Sequence, residues 1–344
     1  MESERQDTAM TNEGNNPAPP KGTMRAVVQD AYGSLDVFRL AKINIPEVAD
    51  QDVLVRVHAG GLDRGTWHLM AGRPYLIRLA LGLRKPRRRV PGVDLAGTVA
   101  AVGPGVTRFS PGDEVFGTGK GSFAEYAVAP EGQLASKPAG LSFEQAAVVP
   151  VSGLTALQAL TDIGRLQPGQ QVLIIGASGG VGSYAVQLAK ALGAQVTGVS
   201  SPAKLDLVRS LGADHVIDYT NEDFADGAHR YDLILDIGGN PALARLRRAL
   251  TPTGTAVIVG GEHGGSLTGL GRQFRAVALS PFIRQRLTFF VSKERASDLE
   301  RLTEFIEAGK LTPSIDRTYP LEQTSDAMRH LEAGKVRGKI AITV

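Results

Sequence analysis

The sequence contains no cysteine, which excludes disulfides, thiolate nucleophiles and every zinc site built on sulfur. The absence leaves the redox state of the compartment open. Charge of one sign is also missing: 38 Lys and Arg face 35 Asp and Glu, a net +3 that gives only weak grounds for a nucleic-acid or anionic-membrane partner. No apolar run approaches the roughly 18 residues a membrane span needs. The opening MESERQDTAM is acidic and has no hydrophobic stretch, so neither a transmembrane segment nor a secretory signal is expected, and the default location is the cytoplasm.

What is present is 344 residues with 42% hydrophobic content, enough for two domains with cores of their own. Residues 1–23 are polar and rich in Asn and Pro, and read as a disordered tail. From Met24 to about Lys137, short apolar stretches such as DVLVRVHAG, DLAGTVAAVG and FAEYAVA are punctuated by Gly and Pro, which predicts a mostly β domain. From about Phe143 the pattern changes. The runs VLIIGA, QVTGVS, HVIDY, DLILDIGG, TAVIVGG and LTFFV alternate with helical segments, and uniformly apolar strands separated by helices predict a parallel sheet covered on both faces. Val181, Ala185, Leu188, Ala189 and Leu192 fall on one helical face of the segment after the first run. Two further helices, the second starting near Thr324, and the strand GKIAITV close the chain and are expected to fold back onto the first domain.

The run ending at Ala177 is followed by Gly179, Gly180 and Gly182 at the mouth of a helix. Glycines there permit a tight turn and let backbone N–H groups approach a pyrophosphate at the positive helix end. The bland alternative is a turn that only packs helix on strand. Dinucleotide-binding units often carry an Asp or Glu at the end of the second strand, where it bonds the adenosine ribose and repels a 2′-phosphate. Here that stretch reads VSSPAK, with two hydroxyls and an ammonium, so NADP(H) is the expected cofactor and Ser200, Ser201 and Lys204 are the expected phosphate contacts. Against this stands Lys204 as an ordinary solvated helix residue.

With PGVDLAGTVAAVG, FSPGDEVFG, GSFAEYAVAP, PVSGLTALQAL, GASGGVG and SLGADHVIDY present in this order, the chain resembles the medium-chain dehydrogenase/reductase superfamily, and within it the zinc-independent quinone oxidoreductase branch. The resemblance runs from Met24 to Val344. It implies an α/β fold, a Rossmann doubly wound parallel sheet with a GroES-like mostly β domain. The substrate domain would span 24–142, the NADP-binding domain 143–291, and a C-terminal segment, 292–344, would return to the substrate domain. It further implies cofactor contacts from Thr155, from Ser178, Gly179, Gly180 and Val181 in the pyrophosphate loop, and from Ser200, Lys204 and Tyr219 around the 2′-phosphate. Gly260, Gly261, Phe290 and Val291 would line the nicotinamide, Lys339 would add a further contact, and the protein would be a homodimer.

Two departures shape the expected chemistry. Zinc-dependent relatives carry Cys and His where this chain has Asp63 and Val93, so no metal is expected. Asp63 instead occupies the position from which the branch often holds the nicotinamide ribose. Asp63, His68 and Asp94 have no familiar metal-ligand spacing, and Asp94 most simply bonds local backbone. Without zinc to stabilise an alkoxide, substrates that accept hydride unaided are favoured, namely quinones and α,β-unsaturated carbonyls. No catalytic side chain is assigned; Trp67, His68 and Tyr75 are the candidate proton donors near substrate, and each more simply reads as packing or surface. An NADP-dependent alcohol or aldehyde oxidoreductase, and a cofactor-binding protein that holds RNA or a partner without turnover, are the alternatives.

One anomaly remains, RLALGLRKPRRRVPG, in which Arg84, Lys85, Arg87, Arg88 and Arg89 crowd together beside the apolar YLIRLALGL. It reads as a solvated loop, with attraction of acidic substrates or nucleic acid, a lid, or a membrane-surface element as the other possibilities.

Overall fold

The computed structural model describes residues 20–260 and 271–344; of the segment read as a tail, residues 1–19 lie outside the described residues, and Thr23 already begins a strand. β1 (Thr23–Gln29) and β2 (Phe38–Asn44) form an antiparallel ribbon. β3 (Asp52–Leu62), β4 (Asp94–Val102), β5 (Glu114–Thr118), β6 (Tyr126–Pro130) and β7 (Leu134–Ser136) follow, with β3 pairing antiparallel to both β4 and β6. Alternation fixes their faces: Val53, Val55 and Val57 of β3 join Leu95, Val115 and Leu134 in one buried cluster, while Leu54 turns the other way onto Ala101 and Val128.

A second sheet holds β8 (Gln171–Ile175), β9 (Gln195–Ser200), β10 (His215–Asp218), β11 (Tyr231–Asp236), β12 (Leu250–Ile258) and β13 (Arg286–Phe289), all parallel, in the order β10-β9-β8-β11-β12-β13. The six apolar runs are these six strands. Both faces are covered: Val172 and Ile174 of β8 enter one core with Ala185, Leu188 and Ala189 of the helix Gly180–Ala191, and Leu173 and Ile175 enter a second core on the opposite side. The order reverses at β8, so a crevice opens beyond the carboxyl ends of β8 and β11, where such sheets bind ligands.

β14 (Ile315–Pro320) and β15 (Lys339–Thr343) bring the chain back. β15 pairs antiparallel with β3, Ile340 opposite Leu62, and joins the first sheet. Helix Pro150–Gln158 bridges the two sheets, and one continuous core runs from Ala59, Ala96 and Phe116 through Leu154 to Ile174 and Tyr184. The buried Tyr184 hydroxyl donates to the Val148 carbonyl at 3.0 Å, tying the helix after β8 to the segment entering that bridge.

Candidate active site

The loop from Gly176 to Gly179 leaves β8 and enters the helix Gly180–Ala191 with Gly179 as its first flanking residue. Two of its glycines do different work. A Cβ on Gly182 would overlap the Gly176 carbonyl oxygen and lie 2.8 Å from the Ala177 carbonyl carbon, so glycine there lets the helix sit directly on the turn. A Cβ on Gly179 would meet only the Gly176 oxygen, at 3.5 Å, so glycine there leaves open the face that looks outward from the helix N-terminus. That cradle fits a pyrophosphate, because unpaired N–H groups and the positive helix end converge on it. Ser178, buried, accepts the Gly338 N–H on its carbonyl at 2.9 Å, and Val181 is half-buried.

Beside this loop, the end of β9 makes a corner without an acidic side chain of its own. Ser200 is buried with its hydroxyl donating to the Ser201 carbonyl at 3.3 Å, Ser201 is half-buried, and Tyr219 is 61% exposed next to them, its N–H reaching the Ser200 carbonyl at 3.4 Å. Lys204 does not stand free in solvent. Its ammonium donates to the carbonyls of Gly334 and Val336, each at 2.8 Å. Burial lowers its pKa, Asp316 opposes that and Arg337 adds to it. An ammonium has three donors, so one remains for an anion. Arg337 completes the corner: it bonds the Ala203 carbonyl at 2.6 Å and consumes the nearby Asp206 in an ion pair of 2.7 Å. Sequence reasoning passed over Arg337, though it lies two residues before Lys339.

Under the glycine loop lies a buried ion pair. Lys339, 1% exposed on β15, places its ammonium 3.0 Å from Ser152 Oγ and 3.5 Å from Asp94 Oδ2, and a Cβ on Gly180 would touch its side chain at 3.1 Å. Asp94 does not bond local backbone as its sequence context suggested; its other oxygen accepts the N–H of Val151, 57 residues on, at 2.9 Å. A Cβ on Gly61 would come within 3.0 Å of that carboxylate, so β3 passes directly over it. Burial pushes the Asp94 carboxyl up to about 7; Lys339 pulls the other way, Asp63 adds to the rise, and the Val151 N–H opposes it. The cation is held beneath the glycine loop, while its counter-charge is only about half ionised at neutral pH.

At the end of β3, Asp63 caps the helix Arg64–Ala71, accepting the Thr66 N–H at 2.9 Å and its hydroxyl at 3.2 Å on Oδ1. The capping pattern Asp63-x-x-Thr66 was legible and was passed over. Thr155 donates to the Val151 carbonyl at 2.6 Å and meets Ser292 at 3.1 Å, which joins the bridging helix to the segment after β13. Phe290 there is half-buried and Val291 is 82% exposed. A Cβ on Gly260 would overlap the Ile237 carbonyl, and Gly261 lies outside the described residues. Among the proton-donor candidates, Trp67 donates to Glu332 at 2.5 Å, His68 Nδ1 lies 2.8 Å from the Arg73 carbonyl, and Tyr75 is exposed beneath Arg73 and Arg78. The structure brings Ser178, Gly179, Gly180 and Lys339 together and gathers Ser200, Ser201, Lys204 and Tyr219 in one corner.

Comparison with known proteins gives the family. Residues 49–139 match the family described as "Alcohol dehydrogenase GroES-like domain", and residues 211–342 match "Zinc-binding dehydrogenase". The chain is 33% identical over 338 residues to a 2-methylene-furan-3-one reductase of Solanum lycopersicum, covering 93% of this chain and 79% of the relative. It is 32% identical to a chloroplastic NADPH-dependent alkenal/one oxidoreductase of Arabidopsis thaliana, with the same 93% and 79% coverage. The quinone oxidoreductase of Coxiella burnetii superposes with a TM-score of 0.83 at 29% identity, over 94% of this chain and 100% of that one. The chain belongs to the medium-chain dehydrogenase/reductase superfamily, in its quinone oxidoreductase branch.

Proposed function

We propose that the protein is an NADPH-dependent reductase that delivers hydride to a quinone or an α,β-unsaturated carbonyl. The observation that carries this reading is the corner at the end of β9: two serines, Lys204 and Arg337 stand beside an open glycine cradle, and the nearby Asp206 is neutralised. Such a corner suits a phosphate on the adenosine ribose, and the carboxylate of Asp218, opposite Ser200 in the sheet, is buried and already accepts from Thr220 and Asn221. The names of the alkenal/one reductase and the quinone oxidoreductase support the substrate class.

Bound reduced nicotinamide would supply the hydride, and the chain's own residues would position and shield it. The N–H of Gly180, the open face at Gly179 and the buried Lys339 would hold the pyrophosphate, Ser178 and Val181 completing that loop. Ser200, Ser201, Lys204 and Tyr219 would hold the 2′-phosphate, while Thr155 and the backbone at Gly260, Gly261, Phe290 and Val291 would line the nicotinamide. Asp63 has Oδ2 left to reach a ribose hydroxyl while Oδ1 caps its helix. Orientation of donor and acceptor, with water kept out, is the protein's contribution to rate.

A zinc-free mechanism is part of the proposal. The residues at the zinc-ligand positions of metal-dependent relatives are Asp63 and Val93, the first occupied as a helix cap, while Asp94 faces Lys339. Among the described residues no group of three or more His, Cys, Asp or Glu is placed to hold a metal ion. A homodimer is also proposed: β13 ends the sheet, and the apolar Phe274 and Phe282 near it are exposed.

The test is NADPH consumption with ortho-quinones and simple enones, with NADH and a chelator as controls. Turnover with NADPH that survives chelation supports the reading. Activity confined to saturated aldehydes would select the alcohol or aldehyde alternative, and salt-sensitive RNA binding with no turnover on any carbonyl would select the binding protein.

A further inference from the structure

Between the helix capped by Asp63 and the strand bearing Asp94, residues 72–93 form a connection whose regular structure is one short helical stretch. Leu76 and Leu79 are exposed there, Leu79 by 63%, in a short helical stretch spanning Tyr75–Ile77 and Arg78–Leu81, and Leu83, 67% exposed, follows it after Gly82. The connection is pinned in this shape. Arg78 stacks between Tyr32 and Tyr75, 4.4 and 4.8 Å from their ring centres, and donates to the Gly72 carbonyl at 2.9 Å. Tyr32 donates to the Gly82 carbonyl at 2.7 Å, and Gly82, at φ 118°, makes a turn in which a Cβ would overlap the Lys85 carbonyl. The interior contacts are made by Arg78 and Tyr32, so the leucines are presented outward.

The charge around them is of one sign. Residues 64–93 contain no Asp or Glu. Arg84, Lys85, Arg87 and Arg88 are exposed and have no carboxylate partner among the described residues, and Asp30, which pairs with Arg89 at the end of the run, is also held by Arg39, at 2.6 Å each. Exposed leucines flanked by unpaired cations match a bilayer whose headgroups are anionic and whose acyl region is apolar. Single-stranded nucleic acid would call for aromatic stacking surfaces, and the stretch offers only Tyr75.

We propose that residues 75–89 dock the protein on an anionic lipid surface, with Leu76, Leu79 and Leu83 entering the interface and Arg84, Lys85, Arg87 and Arg88 engaging headgroups. Docking would set the rim of the substrate domain against the bilayer, where a lipophilic quinone dissolves. That consequence rests on the quinone reading above; vesicle binding does not.

The experiment is flotation of the full chain with phosphatidylglycerol–phosphatidylcholine vesicles and with pure phosphatidylcholine vesicles, without substrate or cofactor. Binding to the anionic vesicles that falls with salt is expected. At about five-fold per basic residue, R84Q/R88Q should weaken it roughly 30-fold. L79S/L83S should abolish the binding that persists at high salt, and all these side chains are exposed, so near-UV circular dichroism should match that of the parent. Absence of flotation, or flotation unchanged in both variants, would overturn the proposal. So would a patch whose substitution alters only RNA binding, or only converts an oligomer to monomers. Vesicle binding without quinone turnover would support the docking surface and remove the quinone reading instead.

Discussion

Replacing Lys339 by Met removes a fully buried cation and leaves Asp94 without its counter-charge. Truncating one partner of a buried pair typically costs about 3–5 kcal/mol, because a charge is left buried and unpaired. Here the cost depends on pH. The Asp94 carboxyl, raised to about 7 by burial, is already half protonated near neutrality. In the parent protein the folded state holds this proton more tightly than the unfolded chain does, so its contribution to stability is complete below the unfolded pKa and is lost as pH rises to about 7. Above that value the parent's slope vanishes, since both states are ionised. In Lys339→Met the pull of the ammonium is gone, the carboxyl stays neutral to higher pH, and stability goes on falling by about 1.4 kcal/mol per pH unit. The variant should therefore lie within about 1 kcal/mol of the parent at pH 6 and be about 3 kcal/mol less stable near pH 9. Urea unfolding at a series of pH values, followed by far-UV circular dichroism, reads this difference. A second substitution, Asp94→Asn, should flatten it. A penalty that is constant across the range, or one that Asp94→Asn leaves in place, would refute the reasoning.

The same titration should reach the cofactor. Below about 7 the pair beneath the cradle carries a net positive charge, and above it the charge cancels, so pyrophosphate affinity should weaken several-fold between about pH 6 and pH 8 and lose that dependence in Asp94→Asn, as calorimetry would show. Gly179→Ala should leave thermal stability within about 0.5 kcal/mol of the parent yet weaken NADPH binding about ten-fold or more, since the added methyl meets open space now and the pyrophosphate later. Gly182→Ala should instead lower stability by about 1–3 kcal/mol, read as a fall in melting temperature, because its methyl overlaps the Gly176 carbonyl.

The fold was legible because its signals are local. Six uniformly apolar runs became the six parallel strands, and the face of Ala185, Leu188 and Ala189 became the buried side of the helix after β8. The glycine loop could be read for the same reason, since strand, turn and helix follow one another. What stayed hidden depends on residues far apart in the chain. Asp94, Ser152 and Lys339 meet across 245 residues, and no spacing rule foretells that a β4 carboxylate will lie against a β15 ammonium. Lys204 offered a choice between solvent and phosphate, and the carbonyls at 334 and 336 that hold it come from the returning C-terminal segment. Asp63 was weighed as a ribose contact from its place in a motif, while its local role as a helix cap was written three residues away in Thr66.

Calorimetric titration of the protein with NADPH and with NADH, at one pH and one salt concentration, tests the central claim without any assumed substrate. Charge-assisted hydrogen bonds of about 1.5–3 kcal/mol from the corner at Ser200, Ser201 and Lys204 predict that NADPH binds roughly ten- to hundred-fold more tightly. Equal affinity for the two nucleotides, or tighter binding of NADH, would contradict the account.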